Sequence, residues 1–278
     1  MRKILGISLA AVGLLVGGCA GPVKPDGVVN GTAWRHTDKS SIAVIQNAWV
    51  AIPSQATGGP VYSGPFKHAT GAATTRVPVV VVLHGSSGIT PALREWQKWL
   101  ASELGIASIA PDSMQLPGRL TYKSPVEKDN YERIHELRAV EIVFALQALR
   151  ATAWADSSRL ALAGTSEGAV AAARYAGAEF GARLLYSWSC EDNYFVKGHG
   201  TALPVGQPVL NAVSARDPFF SSANPWVGNP NPVGNCGPVL RDNPRAEVLL
   251  LGNAPHTVLN HPAARALAKR FLVQALQP

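Results

Sequence analysis

The sequence predicts an α/β domain whose mostly parallel sheet carries helices on both faces. From residue 77 onwards, short apolar runs alternate with stretches that have helical spacing of apolar residues, and Gly or Pro often separates them. The runs place apolar residues on consecutive positions, which suits strands buried on both faces of a parallel sheet. Such alternation is typical of the α/β class. The 278 residues allow one large domain or two small ones, and we see no internal repeat and no second domain boundary.

The first predicted elements are short. Residues 42–52 are apolar enough for an early strand. The segment 54–75 is rich in Gly, Pro, Ala and Thr, as loops are, with room for a short strand at Val61 and Tyr62. The run 77–83 is the clearest strand because five of its seven residues are Val.

A helix is predicted after the strand 77–83. Thr90 offers an N-terminal cap, Pro91 suits the first turn, and Gly105 ends the helix in a conformation that glycine adopts easily. Apolar side chains recur at helical spacing between these residues. The remaining predictions are strands at 106–110, 159–163, 183–188, 208–214 and 246–251, and helices over 134–148, 166–176 and 262–276.

The first residues are typical of an export signal. Arg2 and Lys3 precede an apolar stretch, 4–16, which is too short to span a bilayer comfortably. Residues 16–19, Val-Gly-Gly-Cys, resemble the bacterial lipobox, in which the cysteine becomes the lipidated first residue of the mature protein. We therefore expect lipidation at Cys19; the alternative is ordinary secretion, with this cysteine incidental.

The resemblance to lipoproteins also implies a location. Ala20 stands where an aspartate would indicate inner-membrane retention, so we expect an exported protein anchored to the cell envelope, at the outer membrane facing the periplasm. The expected organisation is a lipoprotein signal peptide over 1–18, a tether of mixed composition over 19–40 and an α/β domain over 41–278.

Charge gives little sign of a macromolecular partner. The formal net charge is +7, which falls to +5 without Arg2 and Lys3, and the basic residues are scattered. The sequence has no basic run and no nucleic-acid motif, so no nucleic-acid partner is expected. Membrane contact is expected through the lipid anchor only, and the sequence does not define an oligomeric state.

The two later cysteines, Cys190 and Cys236, are candidates for a disulfide because an exported chain matures in an oxidising compartment. Free thiols are the alternative. Their spacing is not that of metal ligands, so no metal site is expected.

Ser166 lies at the centre of a G-x-S-x-G pattern, 164–168, directly after the apolar run 160–163. A sharp turn between strand and helix lifts a serine hydroxyl clear of its neighbours, and the flanking glycines let strand and helix pack closely around it. The pattern alone arises easily by chance in a chain with 26 glycines. Its place after a strand makes Ser166 a candidate nucleophile.

Two further reactive residues follow predicted strands. Asp217 comes three residues after the strand 208–214, and His256 follows the strand 246–251. Functional groups of an open α/β sheet gather at the carboxyl ends of its strands, and the order Ser, Asp, His is that of an α/β-hydrolase. The alternatives are Glu191 or Asp192 as the acid and His261 as the imidazole, although His261 stands beside Pro262 and suits a helix cap.

From Val77 to the C-terminus the sequence resembles the α/β-hydrolase superfamily, and most closely its dienelactone-hydrolase-like branch. The matching segments are 77–88, 106–112 and 159–168, followed by the late Asp217 and His256. The resemblance implies an α/β-hydrolase fold without metal or organic cofactor. The chain departs from that branch in having Ser166 where cysteine is frequent, and in Glu167 and Ala169 after it, which leaves the substrate class open.

Each group then has an expected role. Ser166 attacks the carbonyl, His256 acts as general base and acid, and Asp217 holds the imidazole tautomer. Backbone N–H groups of Ser86 and Glu167 are the expected oxyanion-hole donors. His84 is expected to brace the loop that carries Ser86.

Other side chains near these segments carry weaker expectations. We expect the Glu167 side chain to face solvent at a helix start, the alternatives being a pair with a basic group and repulsion of anionic substrates. Trp188 could line an acyl pocket or belong to the core, and Tyr122 and Phe219 are further pocket candidates. The connection between the strands ending at 188 and starting at 208 is short, so no large cap domain is expected.

The sequence therefore predicts a serine hydrolase that cleaves carboxylic esters, small or polymeric, through an acyl-enzyme. The same three side chains could instead hydrolyse lactones, thioesters or amides, or transfer the acyl group to an alcohol. A prolyl-oligopeptidase-like peptidase is less favoured because the chain has no room for an added propeller. A non-catalytic envelope binding protein on the same scaffold is the remaining alternative.

Overall fold

The computed structural model describes residues 24–69, 73 and 75–276. The predicted signal peptide 1–18 and the predicted lipidation site Cys19 lie outside the described residues. The strands are β1 (Val28–Asn30), β2 (Trp49–Ile52), β3 (Tyr62–Pro65), β4 (Val77–Leu83), β5 (Ala107–Ala110), β6 (Thr121–Lys123), β7 (Ala155–Thr165), β8 (Ala182–Tyr186), β9 (Val209–Ser214) and β10 (Ala246–Leu251). The helices are α1 (Asp38–Gln46), α2 (Ser54–Thr57), α3 (Pro91–Leu104), α4 (Lys128–Arg150), α5 (Glu167–Arg174), α6 (Gly237–Leu240) and α7 (Pro262–Leu276).

Within the described residues, one sheet contains eight strands in the order β10-β9-β8-β7-β4-β5-β2-β3. The six strands from β10 to β5 run parallel, while β2 pairs antiparallel with both β5 and β3. Strand β7 lies near the middle of the sheet, between β4 and β8. The nucleophile candidate Ser166 follows β7 directly, so it stands at the centre of the carboxyl edge.

Helices cover both faces of this sheet. The consecutive valines of β4 alternate: Val79 and Val81 pack in the core beneath α4 and α5, while Val80 and Val82 pack in the core beneath α3 and α7. A strand buried on both faces needs apolar residues at every position, which explains the Val-rich run. The predicted mostly parallel α/β sheet with helices on both faces is confirmed.

The N-terminal part differs from the prediction. The expected strand over 42–52 is wrong in its first half, because α1 occupies Asp38–Gln46 and only Trp49–Ile52 is strand. A capping box starts the helix: the Thr37 side chain accepts from the Ser40 N–H, and the Ser40 side chain accepts from the Thr37 N–H. The capping box favours a helix start at this point, a signal that the apolar residues of 42–52 do not carry.

The expected tether over 19–40 also differs, because the chain packs on the domain well before residue 41. Strand β1 pairs antiparallel with β6, and Ala33 forms an isolated bridge with Arg119. At Gly27 an added Cβ would lie 2.0 Å from the Lys123 carbonyl oxygen, so this backbone approach requires glycine. Pairing between residues about 90 positions apart leaves no local signal in composition.

Two loops leave the carboxyl edge of the sheet, 187–208 after β8 and 215–245 after β9. The predicted disulfide between Cys190 and Cys236 joins them, and the Tyr194 N–H donates to the Val227 carbonyl. Neither loop forms an inserted domain. No helix among the described residues is both long and apolar enough to cross a membrane.

Candidate active site

Ser166 occupies a sharp turn between β7 and α5. Its φ of 53° and ψ of −118° are rarely adopted by a residue with a side chain. An added Cβ at Gly164 would lie 2.3 Å from the Gly168 carbonyl oxygen, and one at Gly168 would lie 2.3 Å from the Leu83 carbonyl oxygen. Both glycines of the motif are therefore required for strand and helix to pack this closely. The arrangement is that of a nucleophile elbow.

Asp217 and His256, which follow β9 and β10, are brought together by the fold. His256 Nδ1 donates to Asp217 Oδ2 at 2.7 Å. The other carboxylate oxygen accepts from the N–H groups of Phe219 and Phe220 at 2.9 and 3.1 Å. Asp217 is fully buried, whereas 21% of the His256 side chain is exposed. Because a carboxylate only accepts, Nδ1 carries the proton of the neutral imidazole and Nε2 is left as the basic nitrogen.

Ser166 and His256 are both attached to the end of β8. The Ser166 N–H donates to the Tyr186 carbonyl at 2.9 Å. The next residue, Ser187, donates its hydroxyl to the His256 carbonyl. Two adjacent residues thus connect the elbow to the loop that carries the imidazole. Both residues therefore lie at the carboxyl edge of the sheet, each held by a hydrogen bond to the end of β8 or to the residue after it.

The loop after β4 runs beside the elbow. A Cβ added to Gly85 would lie 3.6 Å from Ser166 Cβ, so the Gly85–Ser86 backbone adjoins the candidate nucleophile. Glu167 is the first residue of α5, and the N–H groups of a first helical turn have no partner within their helix. The two expected oxyanion-hole donors, the N–H groups of Ser86 and Glu167, therefore lie on the two segments next to Ser166.

His84 braces this loop, as expected. Its buried ring donates from Nδ1 to the Gly85 carbonyl at 2.6 Å. Its Nε2 accepts from the Ser113 N–H at 3.1 Å and from Arg138 Nη1 at 2.9 Å. Burial, and then the charge of Arg138, hold the pKa of His84 well below its ordinary value. The ring is neutral, which suits one donating and one accepting nitrogen.

The Glu167 side chain does not face solvent, so that expectation is wrong. It is fully buried: Oε1 accepts from Arg119 Nη2 at 2.6 Å and Oε2 accepts from the Tyr122 hydroxyl at 3.1 Å. Arg138 Nε lies 3.9 Å from Oε1. The segment that carries Arg119 and Tyr122 covers the first turn of α5. The alternative, a pair with a basic group, is what the structure contains.

The three pocket candidates have different surroundings. Trp188 is fully buried in the core, in agreement with its core interpretation. The Tyr122 hydroxyl is taken up by Glu167, and burial followed by the Glu167 charge raises the pKa of this tyrosine well above its ordinary value. Phe219 is half-buried, with its ring centroid 4.7 Å from that of His256. Of the three, Phe219 adjoins the candidate catalytic groups.

The alternative acid and imidazole residues have other partners. Glu191 accepts from the N–H groups of Val233 and Gly234, and Asp192 pairs with His199. His261 Nδ1 accepts from the Ala263 N–H at the start of α7, which is the capping role expected for it.

Sequence reasoning missed several residues beside the site. Trp226 is half-buried, with its ring 6.4 Å from Phe219 and 4.5 Å from Tyr194. It lies in a loop without regular spacing, so no pattern marks it. The charged residues Arg119, Arg138 and Glu141 are also buried here, although charged residues are ordinarily expected at the surface.

Solved structures share this architecture. A putative dienelactone hydrolase from Klebsiella pneumoniae subsp. pneumoniae gives a TM-score of 0.52 at 15% identity, over 82% of this chain and 97% of that one. A dienelactone hydrolase-like promiscuous phosphotriesterase from metagenomic libraries gives 0.52 at 20% identity, over 82% and 98%. No protein-family model matches the chain, and no curated protein matches its sequence significantly. Likenesses at this identity show the fold, so the predicted α/β-hydrolase fold, similar to that of dienelactone-hydrolase-like proteins, is confirmed.

Proposed function

We propose that this protein is a serine hydrolase that cleaves carboxylic esters through an acyl-enzyme. The observation that carries the proposal is the 2.7 Å hydrogen bond between the partly exposed imidazole of His256 and the buried carboxylate of Asp217. Ser187 binds the His256 carbonyl, and the preceding residue, Tyr186, binds the Ser166 N–H. The chain order Ser, Asp, His and the backbone of the elbow fit the same chemistry. The names of the similar solved structures, which are hydrolases, support this class of reaction.

The mechanism assigns one role to each group. Ser166 Oγ attacks the ester carbonyl while its proton passes to His256 Nε2. Asp217 holds the imidazole and stabilises its charged form. The N–H groups of Ser86 and Glu167 bind the oxyanion, each contributing about 3 kcal/mol in the transition state. His256 then protonates the leaving alcohol, and water, deprotonated by the same imidazole, releases the acid.

The proposed substrate is a small-molecule or polymeric ester. The alternatives on the same three side chains are hydrolysis of lactones, thioesters or amides, and transfer of the acyl group to an alcohol. A matched series of ester, lactone, thioester and amide substrates, with and without an added alcohol, ranks these activities. A single series turned over well above the others identifies the substrate class.

The test of the main proposal is the variant Ser166→Ala. Removing the nucleophile of such a triad costs about 10⁶-fold in kcat, while thermal unfolding should stay close to that of the wild type. Retained ester turnover in Ser166→Ala would exclude the mechanism. Absent turnover and absent fluorophosphonate labelling in the wild type would favour the non-catalytic envelope binding protein.

We also propose that the protein is exported and anchored through lipidated Cys19, with its domain in the periplasm. The disulfide between Cys190 and Cys236 supports an oxidising compartment. Mass spectrometry of the mature N-terminus should find a lipidated cysteine, and Cys19→Ser should leave the membrane fraction or stay unprocessed. A mature protein that begins at another residue and carries no lipid would overturn this proposal.

A further inference from the structure

Four charged side chains form a buried ion network behind Ser166: Arg119, Arg138, Glu141 and Glu167. Arg119 Nη2 lies 2.6 Å from Glu167 Oε1, and Arg138 Nε lies 3.3 Å from Glu141 Oε2 and 3.9 Å from Glu167 Oε1. None of the four side chains is more than 3% exposed. Two positive and two negative charges balance one another.

The buried ion network binds both segments that carry the proposed oxyanion donors. On one side, Glu167 itself supplies a donor through its backbone N–H, and its side chain is held by Arg119. On the other side, Arg138 donates from Nη1 to the His84 ring and from Nη2 to the His84 carbonyl, at 2.9 and 3.2 Å. The two guanidinium groups therefore connect the loop after β4 to the elbow.

The direction of the Ser86 N–H follows from these contacts. The Gly85 carbonyl accepts from His84 Nδ1 and from the Gly88 N–H, so its orientation is fixed twice. In a trans peptide the next N–H points the opposite way, so the Ser86 N–H points away from the His84 ring. Arg138 holds that ring through Nε2, and so acts on the donor through His84.

The segment 27–37, part of the predicted tether, completes the buried ion network. It lies over the backbone of Arg119: the Leu120 N–H donates to the Ala33 carbonyl at 2.7 Å, and the Ala33 N–H donates to the Gly118 carbonyl at 2.9 Å. At its end, His36 Nε2 lies 3.1 Å from Glu141 Oε1. Arg119 is further fixed by Ser113 Oγ, which accepts from its Nε at 2.8 Å.

Stability alone explains such a network poorly. Buried ion pairs lose their hydration, and apolar residues of similar volume often serve stability as well or better. What ion pairs supply is direction, because each guanidinium fixes several acceptors in one plane. An oxyanion hole needs such direction, since its donors must be held within about 0.5 Å of the productive geometry.

We propose that Arg119 and Arg138 are positioning residues that fix the directions of the two N–H donors of the oxyanion hole. The segment 27–37 contributes by binding the backbone on both sides of Arg119 and, through His36, the Glu141 side chain. The inference rests on the proposed esterase function and extends it to residues that do not touch the substrate. Loss of either arginine then weakens binding of the transition state more than binding of the ester.

The experiment compares Arg119→Met with the control Arg159→Met in the full chain. Arg159 forms an ion pair of the same 2.6 Å length with Asp156, but at the opposite end of β7 from Ser166.

Three quantities are measured: kcat, KM for an ester, and the inhibition constant of a trifluoromethyl ketone derived from that ester. For Arg119→Met we expect kcat to fall about 10- to 100-fold, below the cost of losing a whole donor. KM should stay within about threefold, and the ketone should bind weaker by the factor lost in kcat/KM. The control should change neither kcat nor ketone binding.

A second variant keeps the inference testable if Arg119→Met does not fold. Tyr122→Phe removes only the hydroxyl that donates to Glu167 Oε2, and it should lower kcat and ketone affinity together by about threefold. Unchanged ketone affinity in the folded variants, or a loss confined to KM, would overturn the positioning role. A wild-type protein that neither cleaves esters nor binds the ketone at Ser166 would instead overturn the proposed function, so the two failures are distinguishable.

Discussion

Two buried carboxylates lie near Ser166, and their partners are on opposite sides of β7 in the sheet order: His256 follows β10, and Arg119 follows β5. Asp217 binds the imidazole of His256, which keeps 21% of its side chain exposed at the sheet edge. Glu167 binds the guanidinium of Arg119, whose side chain is 3% exposed. An imidazole can gain or lose a proton near neutral pH, whereas a guanidinium stays charged. The comparison teaches that a buried carboxylate beside a nucleophile serves proton transfer only if its partner titrates and reaches the cleft; otherwise it serves position.

The largest expected difference is between Asp217→Asn and Glu167→Gln. In Asp217→Asn the amide oxygen can keep the N–H groups of Phe219 and Phe220, which turns the NH2 group towards His256 Nδ1 and selects the wrong imidazole tautomer. We expect kcat to fall about 10⁴-fold. Glu167→Gln keeps the backbone donor and the shape of the side chain, so its loss should stay below the about 10²-fold that a missing oxyanion donor costs. Steady-state kinetics of both variants on one ester make the measurement. Equal losses in the two variants would contradict the division of roles.

The disulfide should stabilise the loop that carries Asp217, and it does not enclose the segment that carries Glu167. Cys190 and Cys236 are 46 residues apart and enclose Asp217, but not Glu167. Closing a loop of that length stabilises the folded state by about 4 kcal/mol in the chain-entropy model. We expect the double variant Cys190→Ala with Cys236→Ala to lose up to that amount in the free energy of unfolding, measured with denaturant.

The wild type treated with a reductant is the matched control for the disulfide. It should lose a similar amount of stability, and kcat should fall in both samples because the Asp217 loop is less firmly held. An unfolding free energy within about 1 kcal/mol of the oxidised wild type would show that the bond does not stabilise this side of the site.

The buried histidines His135 and His84 should make the stability of the fold depend on pH. Burial lowers the pKa of His135, whose Nε2 donates to the Phe195 carbonyl, to about 4. The unfolded chain, with a histidine pKa of about 6.5, therefore binds the proton more readily than the folded protein. Stability is fully present above pH 6.5 and is lost as the pH falls towards 4, by about 3 kcal/mol for this group. The lowered pKa of His84 acts in the same direction.

The variant His135→Gln isolates this contribution, since an amide N–H can replace the donor without titrating. Denaturant unfolding of wild type and variant between pH 4 and pH 7 should show a smaller decline in the variant. Parallel curves for the two proteins would mean that His135 is not held neutral in the folded state.

The smallest expected effect concerns the wall of the cleft. The Phe219 ring lies 4.7 Å from that of His256, with Trp226 behind it at 6.4 Å. For Phe219→Ala we expect kcat/KM for esters with an apolar group to fall about fivefold, the size of about 1 kcal/mol of apolar contact. Short acetate esters serve as the control series and should change less. An equal loss for both series would indicate that the ring acts on His256 rather than on the substrate.

The sequence predicts one part of this molecule well and another part poorly, for physical reasons. The region from Val77 onwards is encoded locally: five valines specify a buried strand, and Thr90 with Gly105 marks the two ends of α3. Asp217 and His256 each follow a parallel strand, and parallel strands end at the same edge of a sheet. Their proximity is therefore predictable without knowledge of their contacts.

The N-terminal segment and the buried ion network are encoded non-locally. Strand β1 exists because it pairs with β6, and the Glu167 side chain is buried because Arg119, 48 residues before it, covers the first turn of α5. A glutamate at a helix start reads as solvent-exposed from its own neighbours. Only the assembled fold shows that its partner is a buried arginine.

The most direct measurement is labelling of the full chain with a fluorophosphonate, followed by tryptic mass spectrometry, for the wild type, Ser166→Ala and Asp217→Asn. We expect one adduct in the wild type, on Ser166 within the peptide of residues 160–174. The adduct should be absent in Ser166→Ala and should form far more slowly in Asp217→Asn. An adduct on another serine, or labelling of Ser166 at the same rate in Asp217→Asn, would contradict the account that Asp217 and His256 activate this hydroxyl.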